Sequence, residues 1–160
     1  MSGDFLPVRA LSKADDVFGF CSGNPDNESW LRNRAAHAMG AKTACVYVVP
    51  SKNGDLCGFY SLSAHSVERT GELSARMRSN MPTSVPCTLL GQLAVDKRYQ
   101  GQSVGARLLQ DAIRRAAAAS KVVASRALIV DPADESASGF YTHFGFRPLG
   151  ASNRLFLPLP

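Results

Sequence analysis

One hundred and sixty residues suit a single domain spanning 1–160, and a hydrophobic share of 45% is enough to bury a core. Eighteen Lys and Arg against 13 Asp and Glu leave a formal charge of +5, compatible with a polyanionic partner but also with an ordinary basic surface. Cys21, Cys45, Cys57 and Cys87 show no CxxC spacing, which argues against a zinc site or a redox pair. The N-terminus has no apolar signal-peptide region, and no apolar run approaches the ~20 residues that span a bilayer. The expectation is therefore a cytoplasmic chain with no membrane contact and no metal.

In chain order, Phe5 to Leu11 reads as an edge strand interrupted by Pro7. Asn24 as cap and Pro25 as first residue open a helix that should run to about Met39 and stop at Gly40. Trp30, Leu31, Ala35, Ala38 and Met39 form its buried stripe, with Arg32 and Arg34 outward. Thr43 to Val49 and Leu56 to Ala64 should pair across the Asn53-Gly54 turn, with Gly58 marking a bulge or a close approach. Cys45 and Cys57 read as small buried hydrophobes in these strands. Glu68 to Pro86 reads as a long functional loop over a cleft, with one helical turn near Leu73 to Arg78.

Leu89 to Val95 is an apolar strand, Asp96 to Ser103 a polar loop, and Val104 onward a helix with Val104, Leu108, Leu109, Ala112, Ile113 and Ala116 on one face. Gly101 and Gly105 allow close backbone approach, and the first helical turn offers N–H groups without intrahelical partners. Such a strand–loop–helix joint can cradle a phosphate, though glycine turns also occur without one. Arg126 to Val130 is a further strand, Asp134 caps a helix over Glu135 to Phe144, and Phe146 to Leu149 pairs with Arg154 to Leu159. The sum is an α/β (α+β) chain with a central mixed sheet flanked by helices.

The run Arg98-x-x-Gly101-x-Ser103-Val104-Gly105 resembles the acetyl-CoA loop of the GCN5-related N-acetyltransferases (GNAT), whose pattern is Gln/Arg-x-x-Gly-x-Gly/Ala. The resemblance implies the GNAT acyltransferase fold and acetyl-CoA as co-substrate. It assigns the coenzyme to Leu93, Ala94 and Val95 on the strand, to Arg98, Gly101, Gln102, Ser103, Val104, Gly105 and Ala106 on the loop, and to Ser136 and Phe140 further on. The Phe140-Tyr141-x-x-x-Gly145-Phe146 segment matches the family signature that sets a tyrosine beside the thioester sulfur, which makes Tyr141 the candidate proton donor to the departing thiolate. With pKa values of about 10 for a phenol and 8.5 for a thiol, full transfer is uphill by ~2 kcal/mol, a gap that positive surroundings would narrow.

The strand Leu89 to Val95 carries no Asp or Glu, and Gln92 cannot act as a base at neutral pH. At pH 7 an α-amine of pKa near 7.8 is roughly one-seventh neutral, whereas a lysine near 10.4 is almost wholly protonated. The acceptor is thereby tilted towards an α-amine. Further stretches, Phe20 to Asn24 with Trp30-Leu31, Tyr60-Ser61-Leu62, Arg78-x-Asn80-Met81-Pro82, and Leu90 to Asp96, resemble one branch of the superfamily, the acetyltransferase toxins of type II toxin–antitoxin modules. The branch implies acetylation of the α-amine of aminoacyl-tRNA and a block on translation. It also implies a homodimer and a ribbon–helix–helix antitoxin. Arg32, Arg34, Arg76 and Arg78 are then the candidate RNA contacts. The alternative is an N-acetyltransferase of a small amine or a protein N-terminus with no toxin role.

Overall fold

The computed structural model describes residues 4–68 and 84–160. The chain divides into two compact units, Met1–Ser63 with Gly91–Ala112, and Ala64–Leu90 with Ile113–Pro160. The expected loop content of 69–83, including Arg76, Arg78 and the helical turn, lies outside the described residues. Among the described residues no helix is long and apolar enough to cross a membrane.

In the first unit, β1 (Arg9–Ala10) pairs antiparallel with β2 (Cys45–Pro50), and β2 pairs antiparallel with β3 (Leu56–Glu68), whose residues up to Ser63 belong here. The end of β4 (Ser84–Val95) lies beside β3, where the Gln92 N–H donates to Ser61 Oγ at 3.0 Å. Pro7 limits β1 to two residues, preceded by an isolated Phe5–Ser51 bridge. Val46, Val48, Leu56 and Phe59 form a core with Phe20, Leu31, Ala35 and Ala94. Trp30 is half-buried and stacks on Phe59, with ring centroids 6.1 Å apart.

Three expectations for this unit are corrected. The helix after Asn24 is two helices, α1 (Pro25–Asn33) and α2 (Ala35–Gly40), separated at Arg34, whose φ of −125° leaves the helical basin. Arg and Ala are good helix formers, so the break answers to packing rather than to local preference. Arg32 does not simply point outward: its Nη2 donates to the Phe20 carbonyl at 3.0 Å, and its Nε is buried without a partner among the described residues. Cys45 is exposed, because strand alternation turns Val46 and Val48 inward and Cys45 out; Cys57 is buried as expected.

In the second unit β4 pairs parallel with β5 (Ala127–Val130), β5 pairs antiparallel with β7 (Leu155–Pro158), and β6 (Arg147–Pro148) pairs antiparallel with β7. The sheet is therefore mixed. Its core joins Val67, Val85, Cys87, Ala127, Ile129, Leu149 and Phe156. β3 and β4 are longer than the sequence suggests, since β3 continues to Glu68 and β4 already begins at Ser84. Pro86 sits inside β4 and accepts the Arg126 N–H at 2.8 Å, so it does not end the preceding segment.

The long helix α3 (Val104–Ala119) contributes to both units, and α4 (Glu135–His143) opens on the Asp134 cap, whose carboxylate accepts the Ala137 N–H at 2.8 Å. On α3 the expected stripe is buried at Val104, Leu108, Leu109, Ala112 and Ala116 and half-buried at Ile113.

Candidate active site

The loop between β4 and α3 is built on one carboxylate. Asp96 is 1% exposed, and it caps a short 3-10 turn over Lys97–Tyr99. Its oxygens accept the N–H groups of Arg98 at 2.9 Å and Cys21 at 3.0 Å, and the Arg98 guanidinium at 3.0 and 3.2 Å. Burial raises the carboxyl pKa, but these hydrogen bonds outweigh it and leave the group below its ordinary value. Gln100 spans the loop, with Nε2 donating to the Val95 carbonyl at 2.9 Å and the Ser22 carbonyl at 3.0 Å.

The backbone then takes two left-handed residues, Gly101 at φ +82° and Ser103 at φ +64°, before α3 begins. The bond from the Arg107 N–H to the Ser103 carbonyl, 3.1 Å, is the first of the helix, so the N–H groups of Val104, Gly105 and Ala106 have no intrahelical partner. Alternation of left- and right-handed backbone at a helix start makes a concave anion cradle. The helix start is pressed onto β3 at Gly58: a Cβ there would stand 2.8 Å from Leu108 Cδ1, 2.9 Å from the Ala94 carbonyl and 3.1 Å from Val104 Cγ1.

The expected coenzyme residues are distributed accordingly. Ala94 is buried, with Leu93 and Val95 half-buried beside it on β4; Gly101, Gln102 and Ser103 are exposed; Val104 is buried and Gly105 and Ala106 half-buried. Arg98 is engaged by two carboxylates, Asp96 and Asp55, the latter at 3.3 Å, and the two together raise its pKa. In the other unit, α4 carries Ser136 exposed, Phe140 half-buried and Tyr141 6% exposed. The Tyr141 ring meets Phe140 at 5.3 Å and Phe146 at 5.5 Å, both edge-on, and its hydroxyl makes no hydrogen bond to a described residue. Burial raises the phenol well above its ordinary value, and no charged neighbour among the described residues offsets it. A phenol raised in this way suits hydrogen-bond donation better than ionisation. His143, two residues on, is exposed.

Residues 11–146 match the family model of the acetyltransferase (GNAT) family. The chain belongs to the GNAT family. It is 40% identical over 148 residues to a tRNA-acetylating toxin of Mycobacterium tuberculosis (strain ATCC 25618 / H37Rv), covering 91% of this chain and 86% of that one. Among solved structures it is similar to AtaT complexed with acetyl-methionyl-tRNAfMet, at 28% identity and a TM-score of 0.88, covering 97% of this chain and 95% of AtaT. It is also similar to a tyrosine-to-phenylalanine mutant of AtaT bound to the C-terminus of the antitoxin AtaR and acetyl-CoA, at 28% identity and a TM-score of 0.80, covering 97% and 93%.

Membership gives the loop geometry a meaning for the motif's register. The GNAT pattern Gln/Arg-x-x-Gly-x-Gly/Ala fits equally when read from Gln100, as Gln100-x-x-Ser103-x-Gly105. The geometry favours this register. Ser103 occupies the first glycine position and has the left-handed backbone that glycine adopts freely, while the Gln100 side chain spans the loop. The signal was present in the sequence, since Gln100 satisfies the pattern as well as Arg98 does. No motif in the sequence marks Asp96 as the centre of the loop's hydrogen bonds.

A left-handed serine costs roughly 1–2 kcal/mol. Ser103→Gly, which trades that strain against chain entropy, should shift stability by less than about 1 kcal/mol and keep the loop. Ser103→Val places a β-branched residue where it is least tolerated. It should lower the thermal midpoint by several degrees and weaken acetyl-CoA binding at least fivefold, both measured on purified protein. Equal behaviour of the two variants would show that the backbone at 103 is unimportant.

Proposed function

We propose that this GNAT chain is the toxin of a type II toxin–antitoxin pair, a single catalytic domain over 1–160 that transfers acetyl from acetyl-CoA to the α-amine of aminoacyl-tRNA and so blocks translation. The observation that carries the reading is the 40% identity to a tRNA-acetylating toxin across 91% of the chain. The complexes of AtaT with an acetylated aminoacyl-tRNA, with acetyl-CoA and with its antitoxin support it.

The loop suits the co-substrate. The N–H groups of Val104, Gly105 and Ala106 precede the first helical bond and lie where the helix dipole favours an anion, so they would bind the coenzyme pyrophosphate. Leu93, Ala94 and Val95 would flank its pantetheine arm, with Ser136 and Phe140 contacting it from α4. The neutral amine attacks the thioester carbonyl, the C–S bond breaks, and the departing sulfur accepts the Tyr141 hydroxyl hydrogen bond. The proton lost by the amine balances the one the thiolate takes up. Exposed Arg34, and Arg76 and Arg78 of the undescribed segment, are the RNA contacts; Arg32 joins them only through whatever of its guanidinium remains outside its bond to Phe20. The partners are a ribbon–helix–helix antitoxin and a second copy of the chain.

The test is incubation of the purified protein with charged total tRNA and labelled acetyl-CoA. The label should appear on tRNA and be released with the aminoacyl group by mild alkali. Label on small amines or peptide N-termini, with charged tRNA unlabelled, overturns the reading.

A further inference from the structure

We propose that Asp96 is a positioning residue for the coenzyme, holding the cradle of N–H groups in its binding geometry before acetyl-CoA arrives; this rests on the reading of the loop as the acetyl-CoA site. A carboxylate buried to 1% exposure is expensive to keep unless its oxygens are satisfied. Asp96 satisfies them with four donors drawn from two parts of the chain: the Cys21 N–H, 75 residues away in sequence, and the N–H and guanidinium of Arg98 within its own turn. Its own N–H donates to the Cys57 carbonyl at 2.8 Å, and the next N–H, that of Lys97, donates to the Cys21 carbonyl at 2.8 Å.

One residue thus ties the start of the loop both to the segment before α1 and to β3. Gln100 repeats the link at Ser22, and Arg98 and Tyr99 extend it to Asp55, the Tyr99 hydroxyl at 2.8 Å. The far end of the loop is held by Val104, buried at the Gly58 approach. Between these two anchors stand Gly101 and Ser103, the left-handed pair that shapes the cradle. A loop fixed at both ends loses little conformational freedom when a ligand binds, so affinity is gained by ordering it beforehand.

Asp96→Asn keeps the side chain's shape and removes its charge and one acceptor. In calorimetric titration with acetyl-CoA alone, the dissociation constant should rise about tenfold, equivalent to ~1.4 kcal/mol, while the stoichiometry stays at that of the parent. In the labelled-tRNA assay, KM for acetyl-CoA should rise in step, with kcat and the KM for charged tRNA within twofold. A purely structural role would lower the stoichiometry and the thermal midpoint and leave the dissociation constant of the folded fraction unchanged; that outcome overturns the proposal. Should Asp96→Asn fail to fold, Gln100→Leu decides, since Gln100 is exposed and its loss leaves the core intact. A rise of threefold or more in the dissociation constant supports the pre-ordered loop, and a change under twofold overturns it. Gly105→Val separates this proposal from the one beneath it. If it leaves acetyl-CoA binding untouched, the loop is not the coenzyme site; if it abolishes binding while Asp96→Asn does not weaken it, only the role of Asp96 fails.

Discussion

Tyr141→Phe should lower kcat for acetyl transfer about 100-fold or more, the usual cost of losing one hydrogen-bond donor aimed at developing charge, while acetyl-CoA binds within twofold of the parent. The reason lies in how little else the hydroxyl does. The ring is packed edge-on between Phe140 and Phe146, and the hydroxyl makes no hydrogen bond to a described residue. Phenylalanine keeps all of the packing, so the thermal midpoint should move by no more than a degree or two. Steady-state kinetics with charged tRNA, alongside calorimetry for the coenzyme, separate the two effects. A kcat within threefold of the parent removes Tyr141 from the mechanism.

The burial that defines this tyrosine also sets a pH dependence. Its folded-state pKa is raised above the value of about 10 expected when unfolded, so the folded chain holds the phenolic proton more tightly. Its contribution to stability is complete below pH ~10 and is lost as the pH rises beyond that value. In alkaline unfolding followed by tyrosinate absorbance, the signal that appears together with unfolding should accordingly be smaller by one tyrosine in Tyr141→Phe.

Gly58→Ala should cost about 2–3 kcal/mol, and Gly58→Val should leave little folded protein, because an added side chain has nowhere to go. Two of its neighbours could yield, Leu108 Cδ1 at 2.8 Å and Val104 Cγ1 at 3.1 Å, since both are side-chain ends. The Ala94 carbonyl at 2.9 Å is backbone in β4 and cannot move without disturbing the strand. Thermal melts of Gly58→Ala, of Leu108→Ala and of the double variant check this. Leu108→Ala by itself empties a fully buried site, so the double variant, which relieves one contact, should lose less than the sum of the two single losses. A midpoint for Gly58→Ala within one degree of the parent would mean that α3 is not tightly seated on β3. The same seating sets the helix start that carries Val104, Gly105 and Ala106, so Gly58→Ala should also weaken acetyl-CoA binding in the protein that does fold.

Much of this chain is legible without coordinates wherever a local rule fixes the outcome. Asn24-Pro25 and Asp134 start helices because their side chains satisfy N–H groups a few atoms away, as the 2.9 Å bond to the Asp26 N–H and the 2.8 Å bond to the Ala137 N–H demonstrate. Asn53-Gly54 turns the β2–β3 hairpin, and the period of α3 names its buried face. The family motif stood in the sequence as well, although two registers fit it equally, and only the left-handed backbone at Ser103 and the reach of Gln100 favour one.

Other features depend on partners far away in sequence, which no window of residues contains. The break at Arg34 contradicts good local helix propensity. Arg32 turns towards the Phe20 carbonyl because that carbonyl is within reach only in the folded chain. Gly58 reads as a weak point in a strand until α3 and the Ala94 carbonyl are seen against it. Asp96 reads as one polar loop residue among several until the Cys21 N–H arrives from 75 residues away. The sequence by itself determined most of the elements, the family and the residue types available for acyl transfer, because propensity, capping and motif spacing act over a few residues. The tertiary structure alone decided which carboxylate braces the loop, which glycine admits the helix, and how strongly burial holds the proton on Tyr141, because desolvation and close packing exist only once distant segments meet.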